Sequence, residues 1–201
     1  MTQSYMLRRM QVSDVKLVIA IHLAAFQGFF LTFLGPSFLR ELYTAILADP
    51  TGFGFVCEHD RMVQGFVLGT ARSSSLYRRL LKQRWWRFGL ACIKPALKNP
   101  KIIPRLLHAF RKPQESPTVS DSGTLMSIAV LPDMQGLGIG QSLVQAFLHE
   151  AASRDLRYVD LTTDYMDNDN VNRFYTKLGF RCTRTFVTPE GRKMNEYVID
   201  L

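Results

Sequence analysis

Three glycines at every second position, Gly136, Gly138 and Gly140, form the stretch of this sequence best suited to bind a ligand. Because glycine has no Cβ, backbone N–H groups of such a loop can turn outward and a ligand can approach them closely. The loop follows an apolar run, Met126 to Leu131, that ends at Pro132, which is typical of a buried strand. After the loop, apolar residues recur every three or four positions, which predicts an amphipathic helix. The N-terminal end of a helix attracts anions, so loop and helix together predict a phosphate-binding site.

Two common nucleotide-binding loops do not fit this stretch. A P-loop ends in Gly-Lys-Ser/Thr, and the sequence has no Lys or Arg between Leu125 and Arg154. A dinucleotide-binding fingerprint matches Gly138 and Gly140, but Leu143 stands where its third glycine should be. The glycine loop therefore predicts an anion site of another kind.

Cysteine and histidine are few and scattered. The three cysteines, Cys57, Cys92 and Cys182, have no paired spacing, and only four histidines accompany them. This distribution argues against a zinc site and against a disulfide framework, and it favours a reducing compartment. We expect no metal cofactor.

A second group of residues, 168–180, reads N-D-N-V-N-R-F-Y-T-K-L-G-F. Together with Gln135, Gly138 and Gly140 it resembles the two cofactor motifs of the GNAT superfamily of acetyl-CoA-dependent N-acetyltransferases. The first motif of that family reads Gln/Arg-x-x-Gly-x-Gly/Ala, and the second reads Asn-x-x-Ala-x-x-Leu/Phe-Tyr-x-Lys-x-Gly-Phe. Val171 replaces the usual alanine of the second motif. The residues that match the second motif are Asn168, Phe174, Tyr175, Lys177, Gly179 and Phe180.

The resemblance implies that the chain binds acetyl-CoA as a co-substrate. The main chain of Ile128, Ala129 and Val130 would pair with the pantetheine arm as an added strand. Asn168 would hydrogen-bond the same arm, although a loop residue near a helix N-terminus explains it equally well. The backbone N–H groups that would bind the pyrophosphate are those of Gln135, Gly136, Leu137, Gly138, Ile139, Gly140 and Gln141.

Tyr175 is the catalytic candidate that the resemblance implies. When an amine attacks the thioester, a CoA thiolate leaves, and a thiol pKa near ~8.5 against ~10 for tyrosine makes proton donation by a phenol feasible. The alternative is that Tyr175 only packs beside Phe174. A backbone N–H of residues 128–130 would bind the oxyanion.

The general base is left open by the sequence. The amine must lose a proton before it attacks, directly or through water. No motif supports any one candidate, and each also has a structural explanation as a strand end, a loop residue or a residue on an apolar helix. The candidates are Glu58, Asp164, His22 and Ser127.

The hydropathy pattern predicts the elements that position these residues, within a single domain over residues 1–201. A helix capped at Ser13 and Asp14 follows the first strand, and a second helix begins at Pro36. The segment His59-Asp60-Arg61 between two β-rich runs predicts a hairpin. The last predicted helix runs from Val171 to Leu178. The predicted strands are Tyr5 to Arg9, Phe53 to Glu58, Met62 to Ala71, Met126 to Leu131, Tyr158 to Thr163, Phe180 to Phe186 and Met194 to Ile199.

Pattern and resemblance together predict an α/β (α+β) fold. The helix between the strands that begin at Met126 and Tyr158 predicts a parallel connection between them. The expected architecture is a GNAT-like mixed central sheet of about six or seven strands flanked by about four helices. A basic helical insertion, residues 72–120, lies between the third and fourth strands.

The insertion carries most of the unusual charge of the chain. The 201 residues include 25 Lys and Arg against 17 Asp and Glu, and residues 72–112 hold twelve of the basic residues and none of the acidic ones. Periodicity predicts one apolar helix face made of Tyr77, Leu81, Trp85, Phe88 and Cys92. A second short helix is predicted from 104 to 110.

Several interpretations of this insertion remain open. A positive field would attract a small acidic amine acceptor, for example a nucleotide-linked amino sugar. Trp85, Trp86 and Phe88 beside arginines are also typical of an interfacial helix on an anionic membrane, through residues 76–112. Nucleic acid binding matches no recognition motif, and a solvated hairpin is the plainest interpretation. The alternative to an N-acetyltransferase is a non-catalytic acyl-CoA-binding or membrane-associated regulatory domain.

The expected location is cytoplasmic, with peripheral attachment at the inner membrane face as the alternative. No signal peptide pattern is evident at the N-terminus. The uncharged stretch from Leu17 to Leu39 has the length of a membrane span, but Gly35-Pro36 fits two helices joined by a loop better. Small acyl-CoA enzymes of this kind often pair, so we also expect a homodimer.

Overall fold

A seven-stranded sheet forms the centre of the computed structural model, which describes residues 5–98, 121–188 and 191–201. The strand order is β1-β2-β3-β4-β5-β7-β6, and every neighbouring pair is antiparallel except β4 and β5, which are parallel. This arrangement confirms the predicted mixed sheet. The strands are β1 (Met6–Arg9), β2 (Gly52–His59), β3 (Met62–Thr70), β4 (Ser122–Val130), β5 (Tyr158–Asp164), β6 (Arg181–Val187) and β7 (Lys193–Asp200).

Helices cover both faces of the sheet. Strand residues alternate between the faces, so that Phe66 and Leu68 of β3 contact one hydrophobic cluster while Val67 contacts the other. The first cluster holds helices α1, α2 and α3, and the second holds α4. The helices of the described ranges are α1 (Val15–Ala25), α2 (Phe30–Ala48), α3 (Ser73–Lys98), α4 (Ile139–Ala152) and α5 (Asp169–Lys177).

Helix α2 begins earlier than the sequence predicts. Its first turns start at Phe30, and a kink at Gly35, with φ 80°, separates them from the helix that Pro36 opens. A positive φ suits glycine because it has no Cβ. The predicted loop before Pro36 is therefore helical, and the predicted break lies inside the element.

The hairpin between β2 and β3 is confirmed. Asp60 and Arg61 are its two central residues, and both have positive φ, 49° and 62°. Two positive φ values in succession define a type I′ turn, whose twist matches that of the flanking strands.

Within the described ranges, no helix is long and apolar enough to cross a bilayer.

The first helix of the insertion packs against α2. Leu76, Leu80 and Phe88 are buried, and the ring of Phe88 lies 5.4 Å from that of Phe38 on α2. Trp85 is 68% exposed, so the predicted apolar face that contains Trp85 and Phe88 is only partly buried. The reason is the rotation of the helix about its axis. Leu80 points inward, and Trp85, five positions later, lies roughly 140° away from it around the helix axis.

The rest of the predicted insertion lies outside the described residues. This applies to the side chains of Tyr77 and Leu81 and to the short helix predicted from 104 to 110. The described helix α3 does lie between β3 and β4, as predicted.

Candidate active site

The parallel strands β4 and β5 separate after a short paired stretch. They pair only from Ser122 with Tyr158 to Thr124 with Asp160. Beyond this point β4 continues beside β3 and β5 continues beside β7. The two strands therefore enclose a wedge whose inner edges have no strand partner in the described part of the chain.

A bulge in β4 marks the opening of the wedge. Leu68 of β3 pairs with Ser127, whereas the next residue, Gly69, pairs with Leu125. Met126 is thus an extra residue, and such a bulge bends a strand away from its partner. Ile128, Ala129 and Val130 follow on the open edge, where an extended ligand with amide groups can add as a strand.

The glycine loop joins the end of β4 to helix α4. Gly136 and Gly138 have φ of 80° and 81°, and Gly138 caps the helix without a side-chain hydrogen bond. In the ranges that the structure covers, the N–H groups of residues 136–141 have no backbone acceptor. The loop from Gln135 to Gly138 is exposed, so these donors are available to an anion at the helix N-terminus. This donor set fits a pyrophosphate.

Gly140 brings the two sequence motifs together. A Cβ at this position would lie 3.5 Å from the ring of Phe174 on α5 and 3.9 Å from Val130 at the end of β4. The start of α4, the end of β4 and helix α5 therefore meet at one point. A larger side chain here would push α5 away from the glycine loop.

Two asparagines attach the start of α5 to the end of β5. Asn168 Nδ2 and Asn172 Nδ2 donate to the carbonyl oxygen of Asp164, at 3.2 and 3.3 Å, and Thr163 Oγ1 donates to Asn172 Oδ1 at 2.6 Å. Asn168 precedes α5 but does not cap it with its side chain. Its predicted contact with the pantetheine arm stays a prediction. Neither Thr163 nor Asn172 is predicted from the sequence as a site residue, and the one available signal is the polar Asn172 one helical turn after Asn168.

Tyr175 is buried in an aromatic cluster on α5, β6 and β7. Its ring lies 5.2 Å from Phe174, 5.5 Å from Phe180 and 6.2 Å from Tyr197. Tyr197 pairs with Leu161, the first residue of β5 beyond the separation of the strands, so the cluster borders the wedge. Burial raises the pKa of Tyr175 well above the usual range of tyrosine. The phenol is therefore protonated at neutral pH.

A buried chain of polar side chains leads from β4 to helix α1. The hydroxyl of Tyr43 lies 3.1 Å from Ser127 Oγ and 2.6 Å from His22 Nδ1. Burial lowers the pKa of His22 to about 4, so the imidazole is neutral at neutral pH. Among the described residues, His22 Nε2 is buried without a hydrogen-bond partner. No local pattern in the sequence indicates this link, because Tyr43 and Ser127 lie 84 positions apart.

Asp160 lies where the wedge begins. It is the last residue of β5 that pairs with β4, and its neighbours Val159 and Leu161 point into the α4 side of the core. Strand alternation therefore places Asp160 on the opposite face, which is the face on which Ser127 meets Tyr43. Burial raises the pKa of Asp160 to about 6, and the carboxylate of Glu196 acts in the same direction. Asp160 is not among the candidates predicted from the sequence, although a charged residue inside a predicted strand is an available signal.

The two carboxylates predicted as base candidates both have guanidinium partners. Glu58 lies near the end of β2, with β3 and β4 between it and β5, and accepts from Arg8 Nε at 2.7 Å. Asp164 accepts twice from Arg192 Nη2, at 2.6 Å to each oxygen. A carboxylate that already accepts from a guanidinium has fewer free lone pairs with which to accept a proton. The base role of these two residues stays a prediction that their contacts do not favour.

Arg192 also joins two loops beside the wedge. Its guanidinium lies 5.8 Å from the ring of Phe29, which precedes α2. The α1–α2 loop, the β6–β7 hairpin and the end of β5 therefore meet on one side of the site. Among the side chains that the structure describes, no group of three or more His, Cys, Asp or Glu residues could hold a metal ion.

Comparison with known proteins decides the family. The model of the Acetyltransferase (GNAT) family matches residues 22–180. This chain belongs to the GNAT family. The open wedge, the glycine loop and helix α5 all lie within the matched range, and the family match confirms the resemblance seen in the sequence.

Sequence relatives of this GNAT protein share part of their length with it. It is 27% identical over 153 residues to "Probable acetyltransferase TAP2" of Glycine max, covering 68% of this chain and 58% of the relative. It is 30% identical over 127 residues to "Histone acetyltransferase TAP1" of the same plant, covering 56% and 51%. The chain thus spans little more than half the length of these curated relatives.

Solved structures show the same fold. A GCN5-related N-acetyltransferase from Kribbella flavida superposes with a TM-score of 0.63 at 13% identity, over 100% of both chains. The ribosomal-protein-S18-alanine N-acetyltransferase of Escherichia coli gives 0.61 at 13% identity, over 98% and 94%. The PaiA N-acetyltransferase of Thermoplasma acidophilum, solved in complex with coenzyme A, gives 0.57 at 12% identity, over 96% and 98%.

Proposed function

We propose that this protein transfers an acetyl group from acetyl-CoA to the primary amine of a small acidic acceptor, such as a nucleotide-linked amino sugar. The transfer proceeds by direct attack in a ternary complex. The observation that carries the proposal is the wedge between β4 and β5 with the glycine loop at its end. The scattered cysteines favour a cytoplasmic setting for this reaction.

The residues of the wedge fit acetyl-CoA. The N–H groups of residues 136–141 would hold the pyrophosphate, and the main chain of Ile128 to Val130 would hold the pantetheine arm. When bound, acetyl-CoA supplies an activated acetyl group. That PaiA was solved with coenzyme A supports this cofactor.

Asp160 would act as the base. It lies at the vertex of the wedge, on the face opposite to α4, and at neutral pH a carboxylate with a pKa of about 6 is mostly ionised. A pKa close to the working pH is the value at which a general base is most effective. Asp160 would accept the proton that the amine loses as its nitrogen bonds to the carbonyl carbon.

Tyr175 would stabilise the leaving sulfur. Because burial keeps the phenol protonated, its O–H can donate to the thiolate that forms as the C–S bond breaks. The raised pKa makes Tyr175 a weak acid, so donation of a hydrogen bond is its main contribution in the transition state. A backbone N–H on the open edge of β4 would bind the carbonyl oxygen.

The acidic acceptor is supported by the charge of the insertion. Helix α3 packs on the face of the sheet that also carries Tyr43 and Ser127. Arg79 is already paired with Asp49, which directly follows α2, and Arg87 with Glu41 of α2. The remaining positive charge of residues 72–112 has no acidic residue within the segment to neutralise it, so it would attract phosphate or carboxylate groups.

A free-thiol assay with an amine panel tests the proposal. The panel contains pairs that differ only in phosphate, for example an amino sugar and its nucleotide-linked form. We expect turnover with the phosphate-bearing member and a KM at least about ten-fold lower than for its partner. Equal KM values within a pair would contradict the acidic acceptor.

Absence of turnover would contradict the enzyme itself. If calorimetry shows acetyl-CoA binding but neither the wild type nor Tyr175→Phe releases CoA with any amine, the protein is a non-catalytic acyl-CoA-binding domain.

Charge-reversal variants test whether the basic segment attracts the acidic acceptor. Replacing the exposed residues Arg72 and Lys82 with glutamate should raise the KM of the acceptor and leave that of acetyl-CoA unchanged.

A further inference from the structure

Four large apolar side chains form a stripe along the outer side of helix α3. Their spacing of four, three and four residues places them on one helical face. This outer stripe consists of Trp86, Leu90, Ile93 and Leu97, which are 49%, 60%, 50% and 80% exposed. The helix therefore presents a continuous apolar surface to solvent over three turns.

The packing of α3 does not account for this stripe. The residues that hold α3 on the domain are Leu76, Leu80 and Phe88, which lie on another side of the helix. A helix that packs on a domain with one face normally carries polar residues on the opposite face. Contiguous exposed apolar residues of this size mark an interaction surface.

Charge indicates what the stripe contacts. Lys82, one turn before Trp86 on the same face, is exposed, and the guanidinium of Arg87 lies 5.1 Å from the ring of Trp86. The whole segment 72–112 holds twelve basic residues and no acidic one. An apolar stripe with tryptophan, within a segment that has many basic residues and no acidic one, is the composition of helices that lie in the interface of an anionic bilayer.

Helix α3 also runs toward the start of α2 and the α1–α2 loop. Its contacts with α2 are antiparallel, because Arg79 pairs with Asp49 near the end of α2 whereas Phe88 meets Phe38 nearer its start. The last part of the stripe, Ile93 and Leu97, therefore points toward the start of α2. Two more aromatic side chains are exposed there, Phe29 at 41% and Phe33 at 62%.

We propose that the outer stripe of α3 docks this protein onto an anionic lipid bilayer. The four apolar side chains enter the headgroup region, and the surrounding lysine and arginine side chains contact acidic headgroups. The exposed end of the α1–α2 loop then faces the bilayer. This proposal does not depend on the acceptor or on the acetyl transfer.

The two tryptophans of the chain report docking without any mutation. Trp85 and Trp86 are both on α3, so all tryptophan fluorescence comes from this helix. The full-length protein is mixed with vesicles of phosphatidylcholine with 30% phosphatidylglycerol, or of phosphatidylcholine alone. With the anionic vesicles we expect a blue shift, quenching by lipids brominated near the headgroup, and co-sedimentation that falls as salt rises. No shift and no co-sedimentation with anionic vesicles would overturn the proposal, as would equal binding to both kinds of vesicle.

A variant and a matched control locate the contact. Leu90→Ser with Ile93→Ser removes two exposed apolar residues of the stripe, and Met62→Ser with Val187→Ser removes two equally exposed residues elsewhere. We expect the stripe variant to lose at least about ten-fold in vesicle partitioning and the control to lose less than about two-fold. Equal losses would overturn the assignment of the surface.

Light scattering on the same proteins distinguishes a second copy from a bilayer. If the wild type is a dimer, the stripe variant is a monomer and vesicle binding is unchanged, then another copy of the chain covers the stripe. That result would overturn the proposal. The wild-type fluorescence measurement decides the question even if the variant is poorly folded.

Discussion

Asp160 on β5 pairs with Thr124 on β4, and this is the last pair that joins the two strands before they separate. The site therefore has a titratable carboxyl group at the point where the sheet opens. Its raised pKa and its position give the first prediction. Asp160→Asn should lower kcat/KM by about 100-fold, within the range of 10²–10⁴ observed for loss of a general base.

The pH profile separates this role from a structural one. In the wild type, kcat/KM should rise with pH through about 6 and then level, and Asp160→Asn should lose this rise. The free energy of unfolding should change with pH in the opposite direction to kcat/KM. Because the pKa of the folded state lies above the unfolded value of 3.8, the wild type loses stability as pH rises from about 4 to about 6. Asp160→Asn should therefore unfold at a higher temperature than the wild type at pH 7, and a lower Tm together with lost activity would contradict the assignment.

Tyr175 gives a second prediction, for which a substitution of the neighbouring Tyr197 serves as the control. Tyr175→Phe keeps the ring contacts with Phe174, Phe180 and Tyr197 and removes only the hydroxyl. We expect kcat to fall by about 10²-fold with little change in Tm and in the KM of acetyl-CoA. Tyr197→Phe makes the same chemical change in the same cluster and should leave kcat within about two-fold. Equal effects of the two substitutions would show that the hydroxyl of Tyr175 has no special role.

The glycine loop provides a third prediction with a matched control. Gly138 in the loop and Gly191 in the β6–β7 hairpin both have φ of 81°, and a Cβ would meet no atom within 4 Å at either position. Replacing either glycine with alanine should cost about 1 kcal/mol of stability, since the left-handed conformation is strained for alanine. Only Gly138→Ala should raise the KM of acetyl-CoA, by about ten-fold, because its Cβ occupies the space of the pyrophosphate. Steady-state kinetics and urea denaturation together test this, and an equal rise in KM for Gly191→Ala would contradict it.

Local patterns in the sequence were sufficient to predict the glycine loop, the hairpin at Asp60 and Arg61, and the alternation of strands and helices. Each of these depends on residues close together in the chain. The contact of Tyr43 with Ser127 joins residues 84 positions apart, and Asp160 gains its raised pKa from burial between strands that meet only in the fold. Periodicity also grouped Trp85 with Phe88 on one apolar face of α3, yet Phe88 is buried and Trp85 is exposed. It cannot fix the rotation of a helix when both of its faces are apolar, as α3 shows.

The ion pair between Arg79 of α3 and Asp49 gives a fourth prediction. Arg79 donates to the buried Asp49 through Nε at 2.6 Å and Nη2 at 2.9 Å, and Asp49 also accepts from Thr51. Burial acts to raise the pKa of Asp49, but the hydrogen bonds from Arg79 and Thr51 outweigh it, so the pKa lies below its usual value of 3.8. Arg79→Ala leaves a buried carboxylate without its cation and should cost roughly 2–4 kcal/mol in urea denaturation at pH 7.

Two controls sharpen this prediction. Arg87→Ala removes the looser pair with Glu41, at 3.7 Å, and should cost less than about 1 kcal/mol. The contribution of Asp49 is present above its unfolded pKa near 3.8 and is lost as the pH falls below that value. The difference between the wild type and Arg79→Ala should accordingly shrink in acid. A difference that is constant from pH 7 to pH 3 would contradict the ion pair as its source.

The link from Ser127 through Tyr43 to His22 gives the last prediction. Tyr43 Oη contacts both partners, so its hydroxyl fixes the position of Ser127 Oγ beside the bulge in β4. Tyr43→Phe and Ser127→Ala should each lower kcat by about ten-fold without changing the KM of acetyl-CoA. Because the two residues act through one hydrogen bond, the double variant should be no worse than either single one. Additive effects would show that Ser127 and Tyr43 act separately. The pKa of His22, about 4, lies below that of Asp160. Neither substitution should therefore move the rise in activity near pH 6. A shift of that rise in Tyr43→Phe would assign the general base to the His22–Tyr43–Ser127 link instead of Asp160.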